Sequence, residues 1–184
     1  MPVALPAPPP VQLVGVVSRK LHGGAGGFDI DLPLAGEAAV ECRSGGANGD
    51  YTLVFNFAEN LVSVDGASVT AGTGTVSSST VDTDAHQYLV NLTGVGNAQL
   101  ITVSLTNLRD STGNRSATVS VPLAVLVGDT TGNGSVNSSD ISQTKSQSGQ
   151  DVTASNFRQD VTVNGSINSS DISLVKSRSG TALP

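Results

Sequence analysis

Between Gly128 and Asp140 the chain reads GDTTGNGSVNSSD, which sets oxygen-bearing side chains at fixed intervals: Asp129, Thr131, Asn133, Asn137 and Asp140. Counted from Asp129, these are the first, third, fifth, ninth and twelfth positions of a twelve-residue loop, with Gly134 at the sixth. Alternate side chains of such a loop converge on one point, the glycine permits the sharp turn, and the last carboxylate closes the cage. A hard cation such as calcium requires this all-oxygen spacing. A second stretch, QDVTVNGSINSSD from Gln159 to Asp171, repeats it position for position at an offset of 31 residues, with Asp160, Thr162, Asn164, Gly165, Asn168 and Asp171. The same residue types also make ordinary surface turns. A duplicated loop is a stronger signal than one, and each copy closes on Asp-Ile-Ser with a lysine five residues beyond the aspartate, Lys145 and Lys176.

These repeats resemble the type I dockerin modules, tandem calcium loops of EF-hand type each followed by one helix, which dock onto a β-sandwich partner called cohesin. The resemblance covers roughly the last third of the chain. It implies two calcium ions. One would be held by Asp129, Thr131, Asn133, the Ser135 carbonyl, Asn137 and Asp140. The other would be held by Asp160, Thr162, Asn164, the Ser166 carbonyl, Asn168 and Asp171. It also implies that the tenth and eleventh loop positions and the helices face the partner, which here means Ser138, Ser139, Lys145, Ser169, Ser170 and Lys176. The family usually carries Asn at position three and Asp at position five, where this chain has Thr and Asn, and Ser146 and Ser177 stand where a basic residue often follows the lysine. Each loop therefore keeps two carboxylates, which implies weaker binding suited to extracellular calcium at roughly millimolar levels.

The loops need elements to hold them. ISQTKSQSG after Asp140 and ISLVKSRSG after Asp171 read as polar helices ending at Gly149 and Gly180, where glycine serves as a cap. Between them ASNFRQ reads as a short helix capped by Thr153 or Ser155. Apolar anchors are few (Val136, Ile141, Val152, Phe157, Ile167, Ile172, Leu174, Val175), so a unit of about 60 residues is marginal on its own, and metal binding can supply the shortfall.

From Val11 to Val127 the hydrophobic period is two. Phe28, Ile30, Leu32 and Leu34 form one stripe, Tyr51, Leu53, Phe55 and Phe57 another, and Ile101, Val103 and Leu105 a third. The longest is Val119, Val121, Leu123, Val125 and Val127. Such alternation marks half-buried antiparallel strands, and about seven of them between Gly- and Asn-rich turns make a two-sheet sandwich. The run LVSVDGASVTAGTGTV (Leu61 to Val76), followed by YLVNLTGV and ITVSLTNLRDSTGN (Ile101 to Asn114), is similar to bacterial immunoglobulin-like domains of surface-layer and adhesin proteins. In those domains a turn such as Asp110 to Asn114 sits just before the last strand. The expected organisation is a proline-rich arm over 1–10, an immunoglobulin-like sandwich over 11–127 and a dockerin-like pair over 128–184. The arm reads as a polyproline-like spacer or as a segment lying on a neighbouring molecule. No linker separates sandwich from first loop, which favours a composite rigid rod.

Composition narrows the function. The chain has 184 residues, 21 Gly, no Trp and a net charge of −6. That charge argues against nucleic-acid backbones and anionic membranes as partners, and the lack of Trp against a stacking platform for sugars. Cys42, the single cysteine, reads as a buried small hydrophobe or a free thiol for cross-linking. MPVALPAPPP lacks the basic front and apolar core of a secretory signal, so a secreted chain of this kind is expected to be a piece of something longer. His22 and His86 read as surface residues, GGAGG at Gly23 to Gly27 as a flexible turn, and no nucleophile, zinc or phosphate-cradling arrangement stands out.

The chain therefore reads as a secreted or cell-surface, non-catalytic assembly protein. Its dockerin-like end docks either head-to-tail on the sandwich of another copy, which builds a filament, or as an attachment tag on a cohesin-like receptor. Chelation should unfold residues 128–180 and leave the sandwich intact. Circular dichroism with and without chelator checks this, and an unchanged helix signal in the stripped protein would count against it.

Overall fold

The structure, a computed structural model, describes residues 7–184. Ten strands precede two helices: β1 (Leu13–Leu21), β2 (Gly27–Leu32), β3 (Val40–Glu41), β4 (Tyr51–Phe57), β5 (Leu61–Ser63), β6 (Gly66–Ala71), β7 (Thr75–Val81), β8 (Gln87–Thr93), β9 (Gln99–Asp110), β10 (Arg115–Val125), α1 (Ser138–Gln147) and α2 (Ser169–Arg178). One sheet runs β2-β1-β4-β8-β7. The other runs β3-β10-β9-β5, with β6 also paired to β9. The expected seven strands become ten because β3, β5 and β6 are too short or too polar to show a period of two. The alternating stripes do face inward: Tyr51, Leu53, Phe55 and Phe57 meet Ile101, Val103, Leu105, Val121 and Leu123 in one core. Leu34 departs from its stripe. It lies past the end of β2 and is 47% exposed.

The Asp110 turn stands where expected, directly before β10. The Asp110 carboxylate is buried and accepts bonds from the backbone N–H and side chains of both Thr112 and Asn114. Withdrawal from water pushes its carboxyl up, but those donors outweigh this and hold it below the usual carboxylate range. Of the proline-rich arm, residues 1–6 lie outside the described residues. Pro9 lends its carbonyl to the Arg115 N–H, so the end of the arm is laid along the start of β10.

Residues 40–44 join the two halves of the molecule. β3 pairs in parallel with the end of β10, and the ladder continues past the sheet, where Leu126 N–H donates to Glu41 O and Gly128 N–H to Cys42 O. Ser44 N–H donates to Val161 O in the second repeat. A second core forms here from Val40, Ala124, Leu126 and Val127 on the sandwich side and Val136, Val161 and Val175 from the repeats. Cys42 lies fully buried, its thiol pushed up to about 12 by desolvation, and it behaves as a small hydrophobe. The shared core changes one expectation. A boundary at 127/128 cuts through a single apolar cluster, so loss of the repeats uncovers Val40, Leu126 and Val127. Chelation is then expected to lower the sandwich's own melting temperature as well.

Beside this seam lies a fully buried ion pair, Glu41 with Arg43, at 2.7 Å. Glu41 ends β3 and Arg43 lies two residues on, just past the strand. The Glu41 carboxylate accepts from Arg43 Nε and Nη2, from the Arg43 backbone N–H and from Ser18 Oγ. Burial pushes the Glu41 carboxyl up, yet the Arg43 bonds and charge, helped by Ser18, hold it below its ordinary value. The unfolded chain thus takes up this proton at higher pH than the folded one. The pair's stabilisation is complete above about pH 4.3 and is lost as pH falls through the lower folded value. Glu41→Gln, which strands a buried guanidinium, is expected to destabilise by about 3–5 kcal/mol in denaturant melts at neutral pH, while Glu41→Leu with Arg43→Met costs less. Equal costs for the single and double variants would refute this account.

Candidate metal centre

Each loop is organised by its first and last aspartates, and all four (Asp129, Asp140, Asp160, Asp171) are fully buried. In the first loop the Asp129 carboxylate accepts from the backbone N–H groups of Gly132, Asn133 and Gly134 and from Thr131 Oγ1. Gly134 supports this at φ +83°, a left-handed conformation that glycine adopts without penalty. Asp140 reaches across the loop. One oxygen accepts from Thr131 N–H and Oγ1, both at 2.9 Å, and the other from Asn137 N–H. The Thr131 hydroxyl therefore touches both carboxylates, which places them side by side.

Asp140 has a second task. α1 begins at Ser138 with Asn137 as its N-cap. The Asn137 side chain accepts from Ser139 N–H while Asp140, at the third helical position, accepts from Asn137 N–H. This is a reciprocal capping box, and the acidic group also suits the positive end of the helix. The second loop repeats the bonds to its closing aspartate and its cap: Thr162 N–H and Oγ1 to Asp171, Asn168 N–H to Asp171, and Ser170 N–H to Asn168. Hence the residue that closes each loop also starts each helix. The repeats then lock each other, since Gly149 N–H donates to Ile167 O and Gly180 N–H to Val136 O, each glycine following one helix and bonding the loop of the other repeat. Both glycines lie just past the helix ends with positive φ, as expected.

The donor set suits a hard cation. Each loop brings two buried carboxylates and the side-chain or carbonyl oxygens of Thr, Asn and Ser into one short turn, and among the described residues no cationic side chain pairs with the Asp129 or Asp140 carboxylate. Neighbouring buried anions repel, and a divalent cation would remove that cost. Among the described residues no group of three or more His, Cys, Asp or Glu side chains is placed to hold a metal, which follows from Thr and Asn at positions three and five. Oxygen ligands of this kind favour calcium over zinc or copper. The Ser135 and Ser166 carbonyls meet the amides of Asn137 and Asn168 at 3.4 and 3.3 Å. Ser138, Ser139, Lys145, Ser169, Ser170 and Lys176 are all exposed.

Several residues that shape this region were not picked out by sequence. His22 is buried, not on the surface: it follows β1 directly and its ring stands edge-on to Phe28 and Phe157, which stack on each other at 5.3 Å. Its Nδ1 lies 2.9 Å from Asp160 Oδ2. Gly23 to Ala25 is a single 3-10 turn seated on the second loop, where a Cβ on Gly23 would come within 2.5 Å of Asn164 O. The ASNFRQ helix shrinks to a 3-10 turn over Phe157–Gln159. There Arg158 donates to the carbonyls of Val40, Asp129 and Thr130, which are sandwich and loop groups at once. Val163 adopts φ +54° where the first loop has Gly132, and a β-branched residue there costs about 1–3 kcal/mol.

Two cation-type loops, each starting a helix, packed about an internal two-fold pairing, define a tandem EF-hand-type module. The model of the dockerin type I domain matches residues 127–178, and this part of the chain is a dockerin type I domain, a class of calcium-dependent protein–protein docking module. No curated protein matches the chain, and no solved structure matches it. No helix among the described residues is long and apolar enough to cross a membrane.

Loss of either N-cap separates the helix role from the cage role. At saturating calcium, Asn137→Ala and Asn168→Ala are each expected to cost about 1 kcal/mol in denaturant melts, while Asn137→Gly and Asn168→Gly, which remove the same side-chain oxygen but are tolerated as caps, cost only about a few tenths. Equal costs for the alanine and glycine variants would show that these residues act through the ion alone.

Proposed function

We propose that this chain is a non-catalytic, extracellular calcium-binding assembly protein whose dockerin domain attaches it to a cohesin-like β-sandwich receptor. The observation that carries this reading is that every side chain at the docking positions (Ser138, Ser139, Lys145, Ser169, Ser170, Lys176) stays exposed while the loops pack against the chain's own sandwich. The ion ligands are Asp129, Thr131, Asn133, Ser135, Asn137 and Asp140 in one loop and Asp160, Thr162, Asn164, Ser166, Asn168 and Asp171 in the other. The bound cations supply the positive charge that lets paired carboxylates sit together away from water. Asp140 and Asp171 pass the shape of each cage into the first turn of each helix, so the cage sets the helix orientation. The sandwich, joined through residues 40–44, acts as a stiff mount.

Head-to-tail docking of one copy on the sandwich of the next is the second reading. It draws on the presence, in one chain, of exposed helix faces, a sandwich and a rigid seam; such contacts do not close on themselves and give filaments. Electron microscopy of the calcium-loaded chain separates the two, with discrete monomers favouring the attachment reading and calcium-dependent rods the filament.

In surface plasmon resonance the chain is expected to bind a cohesin-type sandwich in calcium and to be released by chelator. Ser139→Asp combined with Ser170→Asp should weaken binding about tenfold, or about 1.4 kcal/mol, without altering calcium uptake. Binding that persists unchanged in chelator would sink the reading.

A further inference from the structure

We propose that the sandwich is a structural part of the second calcium loop, with His22 as its positioning residue; this rests on reading the two loops as cation sites. The two loops differ in what surrounds their opening aspartates. The Asp129 carboxylate has four donors: Thr131 Oγ1 and the N–H groups of Gly132, Asn133 and Gly134. The Asp160 carboxylate receives Thr162 Oγ1 and the N–H groups of Asn164 and Gly165. The Gly132 N–H reaches both the carboxylate and the carbonyl of Asp129, whereas the Val163 N–H reaches only the carbonyl of Asp160. The missing donor comes from outside the repeat, as His22 Nδ1 at 2.9 Å.

The direction of that bond follows from its other side. Arg43 Nη1 lies 3.2 Å from His22 Nε2, and a guanidinium has no lone pair to offer. Nε2 therefore accepts, the ring proton sits on Nδ1, and Nδ1–H donates to Asp160. Arg43 is itself fixed by Glu41, Phe28 O and Ser18 O. A buried relay of Glu41, Arg43 and His22 thus runs from the sandwich to the opening ligand of the second loop, while the first loop has nothing like it among the described residues. Backbone contact reinforces the relay: Gly165 lies so near His22 O that a Cβ would approach within 2.8 Å. Outer groups that orient a ligand in this way set ion affinity, and their removal typically costs about 10–100-fold.

Calcium titration calorimetry on the full chain tests the proposal. With Asp129→Asn weakening the first loop, His22→Leu should lower the affinity of the remaining site about 10–100-fold, and His22→Asn, which returns an N–H near the Nδ1 position, should recover most of it. With Asp160→Asn weakening the second loop instead, neither His22 variant should move the first site. Should His22→Leu fail to fold, His22→Asn and long-range 1H–15N spectra of the wild-type imidazole carry the test, since a proton found on Nε2 overturns the proposal. Unchanged second-site affinity in His22→Leu, or equal losses at both loops, also overturns it while the reading of the loops stands. A wild-type chain that takes up no calcium overturns both.

Discussion

Four aspartates withdrawn from water set the terms for the C-terminal part of this protein. A carboxylate removed from solvent must be met by donors or by positive charge, and each loop meets it by folding its own backbone amides inward around the first aspartate. The last aspartate is then held by the third residue of the loop and by the cap of the following helix. Loop shape and helix start become one problem with one solution. The few apolar residues of the repeats have only to close the gap between them, and they do so partly with the sandwich's own Val40 and Leu126.

The same constraint recurs inside the sandwich. Glu41 and Arg43 are buried together and saturate each other's bonding groups, with Ser18, Phe28 O and His22 taking what is left. Polar burial of this sort is costly unless complete, and here no described buried side-chain donor or acceptor lacks a partner. The charged network therefore fixes how the sandwich end and the repeats meet, where an apolar seam alone would tolerate sliding.

The cation loops and the long strands were legible in the sequence because each is a local pattern. Oxygen donors at alternate positions need only a twelve-residue window, and Tyr51, Leu53, Phe55 and Phe57 show their shared face by spacing alone. The helix ends showed at Gly149 and Gly180, whereas the helix starts lie at Ser138 and Ser169, inside the loops, where Asn137 and Asp140 form a capping box. What escaped depends on distance in the chain. His22 next to two glycines looks like a surface turn until Asp160, 138 residues away, is placed against it. Glu41 and Arg43 stand two residues apart, yet nothing local says that both are sealed from water. Phe157 read as an anchor within a helix, whereas its ring stacks on Phe28 of the sandwich and draws the segment out of helical geometry.

The parallel seam between residues 40–42 and 124–128 has a mechanical meaning. Tension pulling on α1 and α2 reaches the sandwich through Leu126 and Gly128, whose amides bond sideways to Glu41 and Cys42. A load along that direction must slide several bonds past one another at once instead of peeling them singly. A tethered chain would thus resist drag as a bracket does, and rupture forces in single-molecule pulling would register it.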